Sequence, residues 1–501
     1  MKRIITDYLD EAVGRWPDKT AFVDEKGSIT YRGLQEGACA VAQYLIAKGL
    51  YRKPVAIFME KSIACVCCML GAVYSANFYS VLDTQMPNAR LERLFDNLEP
   101  EIILMDEVNR GKINSLDRSA VCATELFSIK PDMDFIHKTT ERTLTADIMY
   151  IMYTSGSTGE PKGVVTSHDA LMDFVRSASE TFGLDDRSVF GNQAQLHYGL
   201  SAHDVYCSIY CGATVHLLPY AFFLKPKHLM NYIRTNGIDT LIWSTAAMEL
   251  VAGFYKERVE QMPSDLRKII FVGAQISVQT LHWWREALPQ VILINSYGLT
   301  ETFIRLFYSV DRSFVRGEIV PVGGPLPNTE VLLLDEDMRP VKGEEKGRLY
   351  LRCATVSYGY YKDRGKTGLF FVNNPLCQNH TEWICNTGDI AQRNDRGEIV
   401  IVGRADMQIK KHGYRIELGE IEAGGMALDE VKECCALFWP EKQRIVFVYV
   451  GSCTEKEVEA ALRDMLPQYM MPDEYIRGKE LPHLDNGKLD RMECKKMAGI
   501  R

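Results

Sequence analysis

Residues 150–165 read Tyr150-Ile151-Met152-Tyr153-Thr154-Ser155-Gly156-Ser157-Thr158-Gly159-Glu160-Pro161-Lys162-Gly163-Val164-Val165. Both ends are apolar and rich in strand-forming residues, so each predicts a strand. Within the stretch stand three glycines, four Ser/Thr hydroxyls and one lysine. Glycine admits positive φ and close backbone approach, so successive N–H groups turn inward as an anion nest. The hydroxyls add donors and Lys162 adds a mobile positive charge, which together suit a polyphosphate. A plain Gly/Ser hairpin needs only about two to five residues, and this connection is longer. It is not a Walker loop, because that spacing from a glycine to Gly-Lys-Ser/Thr does not occur.

Strands alternate with helices on both sides of this stretch. Helices are expected at Ile4 to Trp16, Tyr31 to Lys48, from Ser62, at Asn88 to Asn97 and at Asp169 to Phe182. Strands are expected at Ala21 to Val23, Pro54 to Phe58, Ala76 to Leu82 and Glu101 to Met105. Further strands are expected at Ile238 to Trp243, Lys268 to Val272 and Val291 to Asn295, the last running straight into Ser296 to Thr302. The pattern predicts an α/β fold of doubly wound parallel sheets, with ligands beyond the strand C-termini. Residues 106–145 read as a polar, irregular surface excursion. Arg316 to Val402 turns β-rich, predicting a β subdomain. The organisation expected is an N-terminal core over 1–402, a connector over 403–406 and a small mobile α+β lid over 407–501.

The net charge of -8 argues against a nucleic-acid partner. The 14 cysteines lie in apolar segments, as buried thiols of a reducing cytoplasm would. The histidines do not cluster with cysteines at zinc spacing. No signal peptide is visible. Ser62 to Leu82 carries no charge and is long enough to span a bilayer. Gly71, Ser75, Asn77 and Ser80 interrupt it, so a buried helix, turn and strand is expected and no membrane insertion.

The central stretch resembles the phosphate loop of the adenylate-forming superfamily, which includes acyl-CoA synthetases, nonribosomal adenylation domains and luciferases. It matches the pattern Tyr-Thr-Ser-Gly-Ser-Thr-Gly-x-Pro-Lys-Gly at each defined position. Asn295-Ser296-Tyr297-Gly298-Leu299-Thr300-Glu301 is similar to the family's aromatic-Gly-x-Thr-Glu segment. Thr387-Gly388-Asp389 resembles its ribose site, and Gly403 to Glu422 its hinge and lid entry. Leu481 to Arg491 resembles its C-terminal catalytic segment. These motifs run in family order along nearly the whole chain.

The resemblance implies ATP and Mg²⁺ as cofactors. Thr154, Ser155, Gly156, Ser157, Thr158, Gly159 and Lys162 would hold the phosphates. Ser296, Tyr297 and Gly298 would face adenine, Thr300 the phosphate, and Asp389 and Arg404 the ribose. Glu301 would bind the metal, as a carboxylate suits a hard ion. Lys488 would bridge acyl and phosphate oxygens. Thr154, Lys162, Glu301 and Lys488 form the implied catalytic set. Asp406 would be the hinge, and the loop at Gly413 would meet the pantetheine channel.

Within the superfamily the chain most resembles D-alanyl carrier-protein ligases and stand-alone adenylation domains, whose acid-pocket helix aligns with Asn192 to Tyr206. The implied acid pocket holds Tyr198, Gly199, His203, Val272, Ile304 and Arg305. Gly199 stands where those enzymes place the aspartate for an α-amino group, and Val272 where the D-alanine pocket has cysteine. A substrate without an α-ammonium is therefore expected, with a polar or anionic group that Arg305 could meet. The alternatives for Arg305 are solvent, or an acid such as Asp204. The expected reaction is adenylation of a carboxylic acid, then transfer to a phosphopantetheine thiol on a carrier protein. Free CoA as acceptor and an inactive nucleotide-binding regulator are the alternatives.

Overall fold

The run Pro54–Phe58 is a strand buried at every position. It lies inside a six-stranded sheet in a computed structural model describing residues 3–154, 161–255, 262–263, 265–354, 358–405, 408–483 and 489–500. Such continuous burial is what a parallel sheet covered on both faces demands. Pro54–Phe58 pairs in parallel with Phe78–Val81 and with Ile102–Met105. The strands Ile148–Thr154 and Lys162–Ser167, which bracket the glycine-rich stretch, complete this sheet on one side.

A nine-stranded sheet follows. Its parallel centre is built from Thr214–Leu217, Val189–Asn192, Thr240–Ser244, Lys268–Val272 and Ile292–Leu299. A five-stranded antiparallel sheet takes Thr329–Leu334, Gly347–Cys353, Phe371–Asn373, Trp383–Arg393 and Ile399–Arg404. The expected α/β fold with a β subdomain is borne out.

One expectation is corrected. Residues 106–145 are not irregular. They contain the helices Arg110–Ser115, Ala123–Leu126 and Met133–Thr140, and the edge strand Val121–Cys122. Ile113, Leu126 and Ile136 are buried there; apolar residues this sparse leave no readable period. Beyond Asn295 the strand continues through Ser296 to Gly298, as Ile292–Leu299. The antiparallel neighbour Phe303–Ser309 pairs with them, so the reversal is confined to Thr300 to Thr302.

The uncharged stretch Ser62 to Leu82 is the helix Ile63–Tyr74, with the Ser62 hydroxyl accepting from the Cys65 N–H at its start, and then the strand Phe78–Val81. No described helix is long and apolar enough to cross a membrane. The cysteines are unbridged and mostly buried.

The chain divides into two compact units. The larger holds Met1–Asp83, Glu99–Tyr153 and Gly163–Ala405; the smaller holds Thr84–Leu98, Thr154–Lys162 and Asp406–Arg501. Residues 84–98 and 154–162 thus group with the C-terminal residues, although nothing in their sequence announces it. The smaller unit has its own core. Ile416 and Ile421 pack with Phe447 and Tyr449 of the sheet Val431–Trp439, Arg444–Gly451, Glu474–Arg477, and Val458 and Leu462 of the helix Glu455–Met465 close the cluster.

Candidate functional site

In the larger unit the strand Ile292–Leu299 carries the first group of expected residues. Ser296 pairs in register with Val272 on the neighbouring parallel strand. The register on the other side slips between Tyr297 and Gly298. A Cβ on Gly298 would stand 1.9 Å from the Phe303 carbonyl oxygen, so only glycine fits. Glu301 follows in the reversal, buried, and accepts a hydrogen bond from Tyr360 Oη at 2.8 Å.

Asp389 and Arg404 face one another on paired strands of the β subdomain. Arg404 Nη1 donates to Asp389 Oδ1 at 2.8 Å, and Tyr297 Oη donates to Asp389 Oδ2 at 2.5 Å. Burial, reinforced by the Asp389 charge, pushes the Tyr297 hydroxyl up, so it remains a donor. The structure therefore brings Tyr297, Asp389 and Arg404 together around one carboxylate.

Of the expected acid-pocket residues, Gly199, Val272 and Ile304 lie beside the strand Ile292–Leu299 and the reversal after it. A Cβ on Gly199 would stand 3.4 Å from Thr300 Oγ1 and 3.7 Å from Met152 Sδ. Ile304 pairs across from Gly298. His203 is buried edge-on against Phe174 at 4.5 Å, and Phe174 stacks on Phe303 at 4.7 Å. Tyr198 is half-buried, with its ring 4.3 Å from that of His197.

Arg305 is already paired within the protein, which corrects the expectation that it could meet the substrate. It shares a strand face with Phe303, and its charge reaches the His203 ring. Arg305 is 0% exposed. Its Nη2 meets Asp173 Oδ2 at 3.1 Å, its Nε donates to the Thr302 carbonyl at 2.9 Å, and its Nη1 to Thr329 Oγ1 at 3.4 Å. Asp204 is instead bonded by the Asn192 amide at 2.6 Å. Removing one partner of a buried ion pair leaves the other uncompensated. Arg305→Ala is thus expected to lower stability by about 3 kcal/mol in thermal or urea denaturation, while the acid KM moves less than about twofold. A large KM rise at wild-type stability would return the guanidinium to the substrate.

In the smaller unit Lys162 Nζ pairs with Glu417 Oε1 at 3.0 Å, and Gln408 Nε2 donates to the same oxygen at 2.7 Å. Gly413 lies in the two-residue reversal between the strands Gln408–Lys411 and Tyr414–Glu417. His412 and Gly413 have φ of 51° and 86°, the positive values such a hairpin turn requires. Ser155, Gly156, Ser157, Thr158, Gly159, Asp406 and Lys488 lie outside the described residues.

The residues present fit a Mg²⁺-bound nucleotide. In the larger unit Ser296 Oγ is a buried hydroxyl with no partner, and in the smaller unit Thr154 Oγ1 is another; each is unfavourable unless a ligand completes it. Asp389 is fixed by two donors and offers further lone pairs to a sugar diol. Among the described residues no group of three His, Cys, Asp or Glu could cage a metal. One carboxylate completed by phosphate oxygens is how Mg²⁺ is commonly held, and Glu301 meets that demand.

Sequence reasoning missed three partners. Tyr360, which holds Glu301, and Glu417, which holds Lys162, carried no assigned role, although Glu417 stands inside the Gly403 to Glu422 motif. Asp173, the partner of Arg305, lies in a helix with no motif to signal it.

The profile described as AMP-binding enzyme matches residues 9–361. A mycosubtilin synthase subunit from Bacillus subtilis is 29% identical over 507 residues, covering 98% of this chain but 19% of its own length. The chain thus spans about a fifth of that relative's length, and 11% of gramicidin S synthase 2 of Brevibacillus brevis, which is 26% identical over 99% of this chain. Among solved structures, an artificially fused adenylation-PCP di-domain NRPS from Klebsiella oxytoca is similar with a TM-score of 0.80 at 23% identity, covering 95% of this chain and 94% of that one. The o-succinylbenzoate CoA synthetase of Bacillus subtilis reaches a TM-score of 0.84 at 18% identity, covering 98% of each. Both structural likenesses are of fold.

Proposed function

The chain belongs to the AMP-binding enzyme family, and from that premise we propose that it adenylates a carboxylic acid and passes the acyl group to a phosphopantetheine thiol on a carrier protein. The observation that carries the reading is the Asp389 carboxylate held by Tyr297 and Arg404. A buried acid so anchored, with lone pairs left over, is built to hold a sugar diol.

In the first step the substrate carboxylate oxygen attacks the α-phosphorus of ATP. The bond to the bridging oxygen breaks and pyrophosphate leaves with that electron pair. The chain's work is positioning and charge stabilisation. The loop 154–162 holds the phosphates, and Lys162 must exchange Glu417 for them. Ser296, Tyr297 and Gly298 receive adenine, Thr300 a phosphate oxygen, and Lys488 the charge developing between acyl and phosphate oxygens. A Mg²⁺ ion held through Glu301 would neutralise phosphate charge. In the second step the thiol sulfur attacks the acyl carbonyl, its proton is lost, and AMP leaves. This reading makes Asp406 the hinge about which residues 407–501 turn as a lid, and brings the loop at Gly413 to the pantetheine.

Acid-dependent exchange of labelled pyrophosphate into ATP tests the first step, across amino, hydroxy, aryl and fatty acids. Exchange with at least one acid is expected. The loaded enzyme offered holo carrier protein and CoA in parallel should acylate the carrier. Transfer to CoA alone identifies an acyl- or aryl-CoA ligase. No exchange with any acid while ATP still binds makes the chain a nucleotide-binding regulator.

A further inference from the structure

His203 carries an atom that the proposed reaction leaves unused. Its Nδ1 lies 3.0 Å from the Leu200 carbonyl. A carbonyl only accepts, so Nδ1 holds the proton and Nε2 presents a lone pair. Burial pushes the imidazole down to about 4, so the ring is neutral near pH 7. Nε2 is buried and has no partner, although His203 is only 5% exposed. Such an atom is unfavourable unless a ligand completes it. Gly199, in the turn just before the helix Ser201–Cys211 that carries His203, lies beside Thr300 and Met152.

Resting on the adenylating function proposed above, we infer that the acid bears an uncharged hydrogen-bond donor, a hydroxyl or a non-ionised N–H, and that His203 Nε2 recognises it. The surroundings exclude the charged alternatives. An ammonium beside Nε2 meets no carboxylate among the described contacts: Asp173 is taken by Arg305 and by Asn328 Nδ2 at 2.8 Å, and Asp204, whose Oδ2 accepts from Asn192 while Oδ1 stays unpartnered, is the next helix residue and turns to another side. The Arg305 charge also disfavours protonation of the imidazole. A second carboxylate has no proton to give Nε2, and the Arg305 donors are engaged with Asp173, Thr302 and Thr329. The adjoining Phe174 and Phe303 rings suit an apolar body behind the donor.

The test is pyrophosphate exchange with matched acids: benzoate and its hydroxy and amino isomers, the benzene dicarboxylates, and aliphatic acids with and without a hydroxyl, beside alanine and glycine. The best donor-bearing acid should exceed its unsubstituted and dicarboxylate counterparts in kcat/KM by roughly 10- to 100-fold. His203→Phe, which keeps a ring against Phe174 but has no acceptor, should bring that ratio to near one. His203→Gln, which restores an acceptor, should recover much of it. Preference for alanine, glycine or a dicarboxylate, or a ratio that survives His203→Phe, overturns the inference and leaves adenylation standing. Exchange with no acid at all overturns both.

Discussion

Lys488→Ala is expected to slow acid-dependent pyrophosphate exchange by about 10²–10³-fold, the typical loss for one preorganised transition-state donor, while thioester formation from a synthetic acyl-adenylate stays within about threefold of wild type. The asymmetry follows from where charge develops. During adenylation negative charge moves onto oxygens between the acyl carbon and the α-phosphorus, and a lysine placed there lowers that barrier alone. On the proposed two-step reading, thiol attack would develop its charge on the acyl oxygen after the lid had turned, when Lys488 would no longer be engaged. Asn486-Gly487 precedes this lysine, a tight-turn pair that would present it at a loop tip. Single-turnover measurement of each half-reaction separates the two barriers. Equal loss in both refutes the assignment, and so does loss in thiol transfer alone.

The fold was legible where apolar runs were continuous. Pro54–Phe58 and Lys268–Val272 appear as strands with the expected bounds, because a strand buried on both faces needs no alternation to be recognised. The family was legible because its motifs are constrained by backbone chemistry: Gly298, inside a strand, is required by the Phe303 carbonyl. The short helices within 106–145 were not, since each buries only a few apolar residues. Side-chain partnerships were the least readable part. Whether Arg305 turned to a ligand or to Asp173 depended on a helix 132 residues away in sequence. The pairing of Lys162 with Glu417, 255 residues apart, has the same character. Spacing within a motif says nothing of a contact made across the chain.

Asp389 offers the sharpest test of the nucleotide assignment, because each oxygen of its carboxylate has a known anchor. Its carboxylate is buried, with Arg404 on one oxygen and Tyr297 on the other. If the remaining lone pairs take the two ribose hydroxyls, Asp389→Ala removes two charge-assisted hydrogen bonds, each contributing about 1.5–2 kcal/mol. Together that is roughly 3–4 kcal/mol, so the KM for ATP should rise about 10²–10³-fold while the KM for the acid changes little. The variant also leaves Arg404 without its carboxylate, so lost folding must be separated from lost recognition. Analogues of ATP lacking the 2′- or 3′-hydroxyl make that separation. Wild type should discriminate against each by roughly tenfold or more, and Asp389→Ala should hardly discriminate, since the partner of the missing hydroxyl is gone. Tyr297→Phe, which removes one anchor of the carboxylate but not the carboxylate, should retain most of the discrimination with a smaller rise in KM. If Asp389→Ala still distinguishes ATP from its deoxy analogues as wild type does, the carboxylate serves only to hold Arg404 and Tyr297, and the ribose lies elsewhere.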